Sequence, residues 1–293
     1  MNLLDNSDLG KNNPLFTIAT IGIIVLSYII GSTFLFTDIA INFPGQHPTT
    51  ETEIVELIGK NRFLIWIIVP FLFVIVGLLS SIHFLHKRPI LSLITARKKI
   101  DFKRILFSFV IMTIVLSLFL ALQIYTSNNL TFQFNFEKFL PLLLISLFLL
   151  PIQTTCEELI FRGYALQGIK QRTASNLAAI LISGTMFGAI HYGNPEIEAI
   201  GNHIIIYYIL VGIFLSFITY LDNGMELALG YHAANNIFAA IMVTNNWQAF
   251  QTDALFMDKT PPGIGWDTIL GILIVLPTLF FIFKWKYKWE IKL

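Results

Sequence analysis

The side chains able to move protons in this sequence stand inside its most apolar stretches. Cys156-Glu157-Glu158-Leu159-Ile160-Phe161-Arg162 sets two adjacent carboxylates and a guanidinium in an otherwise uncharged run. His191 closes Phe187-Gly188-Ala189-Ile190-His191, and His232-Ala233-Ala234-Asn235-Asn236 adds an imidazole and two carboxamides. Glu158 and Arg162, four apart with the acid first, share a helical face in the better order for an ion pair. Glu157 points about 100° away, has no local cation and needs a partner on another helix. Such a carboxylate suits a group that takes and returns protons. His232 and Asn236 share a face one turn apart and can donate two hydrogen bonds to one oxygen, as an oxyanion hole does; Asn235 is less well aligned.

Counted from the short Lys170-Gln171-Arg172 turn, Glu157 and His191 lie at depths about one helical turn apart on antiparallel helices. Ser183, Gly184, Gly188 and Ala189 permit those helices to approach closely. Cys156 points to another face than Glu157, and no Ser–His or Cys–His nucleophile is evident. From these residues alone three readings stay open. One is water activated by acid–base catalysis, another a zinc ion held by Glu157, His191 and His232, although HExxH is absent. The third is a polar network that only locks helices together.

The elements that must carry these groups follow from composition. Of 293 residues 55% are hydrophobic and 13% charged, about half the charge of an ordinary soluble domain, which excludes a soluble globular protein. A net charge of +1 argues against nucleic acid as a partner, and the lone Cys156 excludes an intrachain disulfide framework. Long charge-free runs predict an all-α, polytopic integral membrane helical bundle of about eight transmembrane helices, near 15–37, 63–85, 105–126, 139–158, 173–193, 200–221, 226–246 and 267–284. The first reads as a retained anchor, since no charge falls between Lys11 and Asp38.

Lys87, Arg88, Arg97, Lys98, Lys99, Lys103 and Arg104 crowd the segment after the second span. By the positive-inside rule this loop, Lys11, Lys170, Arg172 and the tail lysines 284, 286, 288 and 292 lie in the cytoplasm, giving a multi-pass cell-membrane protein with both termini inside. Ile90, Leu91, Leu93 and Ile94 read equally as a short amphipathic helix on anionic headgroups or as a solvated connector. The alternating lysines and aromatics of 284–289 read as an interfacial anchor. Pro151 predicts a kink in the fourth span and a cavity around the site. Three regions are expected: 1–138 with helices 1–3 and the basic loop, a core at 139–246, and 247–293 with the last external loop, final helix and tail.

Glu157-Glu158-x-x-x-Arg162, Phe187-x-x-x-His191 and His232-x-x-x-Asn236, in this order on three membrane helices, resemble the CPBP family of intramembrane proteases, over about residues 139–240. That family contains the Rce1-type CAAX prenyl endopeptidases and the Abi proteins linked to bacteriocin self-immunity. The resemblance implies that Glu157 and His191 hold and activate water, that Glu158 and Arg162 buttress them, and that His232 and Asn236 stabilise the oxyanion. It implies an intramembrane endopeptidase acting on a membrane-associated peptide or protein in the lipid bilayer, with a water path opening to the cytoplasm. Similar proteins are described both as metalloproteases and as glutamate-dependent proteases; the His–Asn pair favours a mechanism that requires no cofactor, with zinc as the alternative. The competing function is a non-catalytic membrane scaffold or self-immunity protein that keeps the same polar network.

Overall fold

The computed structural model describes residues 2–290; Lys292 of the basic tail lies outside the described residues. A 3₁₀ turn, Leu3–Leu9, precedes α1 (Pro14–Asn42), α2 (Glu51–Ile58), α3 (Lys60–Ser80), α4 (Leu91–Ile94) and α5 (Phe102–Thr126). There follow α6 (Phe136–Phe148), α7 (Leu150–Glu158), α8 (Leu166–Thr173), α9 (Asn176–Ile190) and α10 (Pro195–Ile200). The last are α11 (Ile204–Asp222), α12 (Glu226–Met242), α13 (Trp266–Leu270) and α14 (Leu276–Tyr287). A π-helical turn, Leu159–Ala165, welds α7 to α8, and Leu149 breaks α6 from α7 just before Pro151, where the kink is expected. The protein is thus an all-α, multi-pass membrane bundle.

Among the described residues six helical segments are long and apolar enough to cross a membrane: Pro14–Asn42, Lys60–Leu85, Phe102–Thr126, Phe136–Thr173, Ile204–Asp222 and Thr268–Tyr287. The other two expected spans exist as α9 and α12, with 15 and 17 residues. At 1.5 Å per residue they reach only about 22 and 26 Å, short of a hydrocarbon core of about 30 Å. Helix α12 carries His232 and Asn236, and α9 ends directly before His191.

Helix α9 packs on α11 through glycines. A Cβ on Gly212 would lie 2.3 Å from the Gly184 carbonyl oxygen, and one on Gly184 would lie 2.4 Å from the Ile213 nitrogen. The small residues expected to face the fourth span therefore divide. Ser183 does reach it, donating to the Phe161 carbonyl at 2.7 Å, whereas Gly184 and Gly188 serve the α9–α11 contact, because closeness there requires backbone without side chain on both helices.

Other expectations at the periphery change. Segment 90–94 is neither a membrane-surface helix nor a solvated connector: α4 is one turn with Leu93 fully buried. Asn6 and Gln167 both donate to the Ser92 carbonyl, at 3.0 and 3.1 Å, because its polar backbone, once buried, requires partners. The tail is only partly an interfacial anchor. Trp285 is exposed, while Tyr287 lies under the Arg104 guanidinium at 3.9 Å and Trp289 donates to Asp222 at 3.0 Å. Asp222 also holds Arg97 and Arg104, so part of the basic loop is internally neutralised. A three-stranded sheet, ordered β1 (Leu130–Phe132), β3 (Phe256–Asp258), β2 (Val243–Thr244), joins loops distant in sequence.

Gly212→Ala is expected to cost about 1–3 kcal/mol or more through overpacking, read as a lower melting temperature in detergent. Gly22→Ala, with nothing within 4 Å of its added Cβ, is expected not to.

Candidate active site

Five of the six expected site residues meet in one polar chain, hydrogen-bonded except between Glu157 and His232, and a residue not singled out joins it. Asn236 donates to the Gln153 side-chain oxygen at 3.0 Å, and Gln153 donates to Glu157 Oε1 at 2.5 Å. Glu157 Oε2 lies 3.5 Å from His232 Nε2 and has no hydrogen-bond partner among the described residues. His232 Nδ1 lies 2.8 Å from Glu158 Oε1, which also accepts from Arg162 at 3.0 Å. Arg162 ends the chain by donating to the Gly212 carbonyl at 3.3 Å. Glu158 and Arg162 are fully buried, and Glu157 and His232 are 6% exposed.

The local folding explains each placement. Gln153 precedes Glu157 by one turn of α7, so the two side chains meet on one face. The partner for Glu157 is therefore partly its own helix, a correction to the expectation of a partner elsewhere. The i, i+4 spacing that singles out Glu158–Arg162 also marks Gln153–Glu157, but a glutamine in a span draws no attention as a charge does. Asn236 does stand one turn from His232, yet one of its donors is committed to Gln153; Asn235 donates to the Asn236 oxygen at 3.2 Å. Cys156 is buried.

His191 lines the same cavity without a hydrogen bond to that chain. Its Nδ1 lies 2.8 Å from the Phe187 carbonyl, which only accepts, so Nδ1 carries the proton and Nε2 presents its lone pair. Its ring stacks on Tyr208 at 4.3 Å. Phe187 links the two parts: its ring lies 4.8 Å from His191, 5.6 Å from His232 and 4.1 Å from the Arg162 guanidinium carbon. Tyr208 is missed by the sequence reading because stacking between separate helices leaves no local spacing.

The cavity measures about 1070 Å³ and has Glu157, His191, His232 and Asn236 in its wall. It extends from Arg88 and Arg172 at the α8 end to Glu51 and Glu196 at the opposite end. At the α8 end the surroundings of His86 disfavour its charged form. Nδ1 donates to the Lys11 carbonyl at 2.9 Å, while Nε2 lies 3.1 Å from both the Tyr164 hydroxyl and Thr20 Oγ1. Burial lowers its pKa from 6.5, helped by the charges of Arg88 and Arg172.

As a metal centre the donor set does not converge. Both His232 nitrogens face glutamates, Asn236 is engaged by Gln153, and among the described residues no three His, Cys, Asp or Glu side chains form a metal-holding group. The chemistry on display is that of a carboxylate and imidazoles around a cavity.

A multi-pass membrane protein with buried glutamates and histidines facing a cavity is the class that fold and site define. The family model described as type II CAAX prenyl endopeptidase Rce1-like matches residues 137–238. The chain is also 32% identical over 213 residues to the uncharacterized protein YyaK of Bacillus subtilis (strain 168), covering 71% of this chain and 70% of the relative. This protein belongs to the Rce1-like family of membrane-embedded CAAX protease-like endopeptidases. No solved structure matches it.

Arg162→Met, which leaves Glu158 buried with only His232 beside it, is expected to cost about 3–5 kcal/mol in unfolding; a loss under about 1 kcal/mol would deny Arg162 its role as counter-charge. Because the folded state disfavours the charged form of His86, its contribution to stability falls as pH drops below about 6.5. His86→Gln is therefore expected to flatten the melting temperature between pH 7.5 and 5.5 relative to wild type.

Proposed function

We propose that this protein hydrolyses a peptide bond in a membrane-associated peptide or protein, with water activated by Glu157 and positioned by His191. The observation that carries the reading is the division of labour within Glu157. One oxygen is fixed by Gln153 at 2.5 Å, and the other is buried, free of hydrogen bonds and beside a cavity that also holds His191. In this reading Oε2 takes a proton from water as the oxygen attacks the carbonyl carbon, and returns it to the leaving nitrogen as the C–N bond breaks. The lone pair of His191 Nε2 accepts the second water hydrogen.

His232 and Asn236 serve the carbonyl oxygen. With Nδ1 held 2.8 Å from Glu158 Oε1, His232 presents its Nε2 to the reacting group. The Asn236 amide carries two hydrogens; Gln153 takes one and the other serves the oxyanion. Glu158 and Arg162 hold His232 and touch no reacting atom. Both termini are placed in the cytoplasm on the distribution of Lys and Arg, and no step uses a metal.

Glu157→Gln preserves shape but removes the base. It is expected to lower cleavage of a membrane-peptide library by at least about 10²–10⁴-fold, with zinc well below stoichiometric in the same purified wild-type preparation. Equal cleavage by both forms would remove Glu157 from the mechanism, and activity that tracks bound zinc would replace the metal-free scheme.

A further inference from the structure

His191 stands where helical structure gives it little support. Helix α9 ends at Ile190, and His191 opens a 3₁₀ turn, His191–Gly193, whose other two residues are exposed. Among the described residues its ring makes one hydrogen bond, from Nδ1 to the Phe187 carbonyl at 2.8 Å. That bond holds one edge of the imidazole and leaves its tilt open, because the outer torsion of a histidine side chain is broad. Phe187 approaches at an interplanar angle of 58°, which fills space without setting the plane of the ring.

Tyr208 supplies the plane. Its ring lies 4.3 Å from the imidazole at an interplanar angle of 17°, a face-to-face contact that opposes tilting. Tyr208 comes from α11, and its height against α9 is set by the residue that follows it. A Cβ on Gly188 would lie 2.6 Å from the Ile209 nitrogen and 2.7 Å from its Cα, so the glycine lets the two backbones meet three residues before His191. Tyr208 is braced in turn. The Tyr207 ring stands edge-on to it at 5.8 Å, and the Asn194 side chain lies within hydrogen-bonding reach of its hydroxyl. Asn194 itself donates its backbone N–H to the His191 carbonyl at 2.9 Å. One tyrosine from a neighbouring helix therefore meets both ends of the turn that carries the imidazole.

We propose that Tyr208 is a positioning residue for His191, holding the imidazole plane so that the Nε2 lone pair stays aimed into the cavity that Glu157 also lines. This rests on the peptidase reading above. The hydroxyl is turned to Asn194 and transfers no proton in that scheme, so the ring face is what acts. A reacting group displaced by about 1 Å can lose about 10²-fold in rate, which is the scale of effect a tilted imidazole would have.

The test combines cleavage of the membrane-peptide library with ¹⁵N NMR of the full chain, labelled at histidine, in detergent micelles. Tyr208→Leu is expected to lower kcat by about ten- to a hundredfold and to leave KM within about threefold. Tyr208→Phe, which keeps the ring and loses the hydroxyl, is expected to recover most of that loss. In the spectra wild-type His191, assigned by its absence from His191→Gln, is expected as a single neutral tautomer protonated at Nδ1. Tyr208→Leu is expected to mix the two tautomers at His191 while the His86 and His232 signals stay in place; a general loosening of the fold would move all three. Tyr208→Met gives the same comparison if Tyr208→Leu does not fold. Wild-type kcat with an unchanged His191 signal in the leucine or methionine variant overturns the proposal, and so does a Tyr208→Phe as impaired as Tyr208→Leu. If wild type cleaves no member of the library, the peptidase reading falls and the spectra alone decide the positioning: a tautomer lost with the ring supports it, and one retained overturns it.

Discussion

The structure depends on neutralising charge where water cannot do so. Glu157, Glu158, Arg162 and His232 lie at or below 6% exposure, and each ionised group placed in hydrocarbon costs at least about 2.5–3.5 kcal/mol. Their arrangement answers that cost in sequence. Arg162 balances Glu158 at 3.0 Å, Glu158 takes His232 Nδ1 at 2.8 Å, and His232 turns its other nitrogen toward Glu157. The same contacts that make the charges tolerable also orient one imidazole between two carboxylates, so stability and chemistry rest on a single set of bonds.

The backbone around this set is shaped to admit it. The π-helical turn Leu159–Ala165 begins directly after Glu158 and contains Arg162, and irregular helical turns of this kind often occur at functional sites. The glycine contact between α9 and α11 brings the Gly212 carbonyl to Arg162 as its last acceptor. Phe187 fills the space among Arg162, His191 and His232. One side chain both packs the helices and spaces Arg162 from the two imidazoles.

Much of this was legible because membrane spans make polar residues conspicuous. Glu157, Glu158, Arg162, His191, His232 and Asn236 stand out against apolar runs, and the i, i+4 rule gave the Glu158–Arg162 pair outright. What stayed hidden depends on contacts across the fold. Gln153 is neutral and does not stand out in the sequence, though its spacing to Glu157 follows the same rule. Tyr208 meets His191 from another helix, and the strands at 130–132 and 256–258 pair over more than a hundred residues. In the sequence Arg88 is one more cation of the basic loop, and only its burial against Ser92 and Gln167 distinguishes it from neighbours that mark orientation.

The shortness of α9 bears on the lipid as well as on the protein. Leu177, Leu181, Ile182, Met186 and Ile190 of this 15-residue helix are exposed, so acyl chains must cover an apolar face about 8 Å shorter than their usual depth. Lipid beside a short span thins at a cost of fractions of a kcal/mol per ångström. A bilayer that meets this helix along its length is therefore pinched where the helix ends at His191, which brings headgroup and water closer to the depth of the cavity. Acyl-chain length then becomes a variable of the enzyme, acting on the site through the thickness of its solvent.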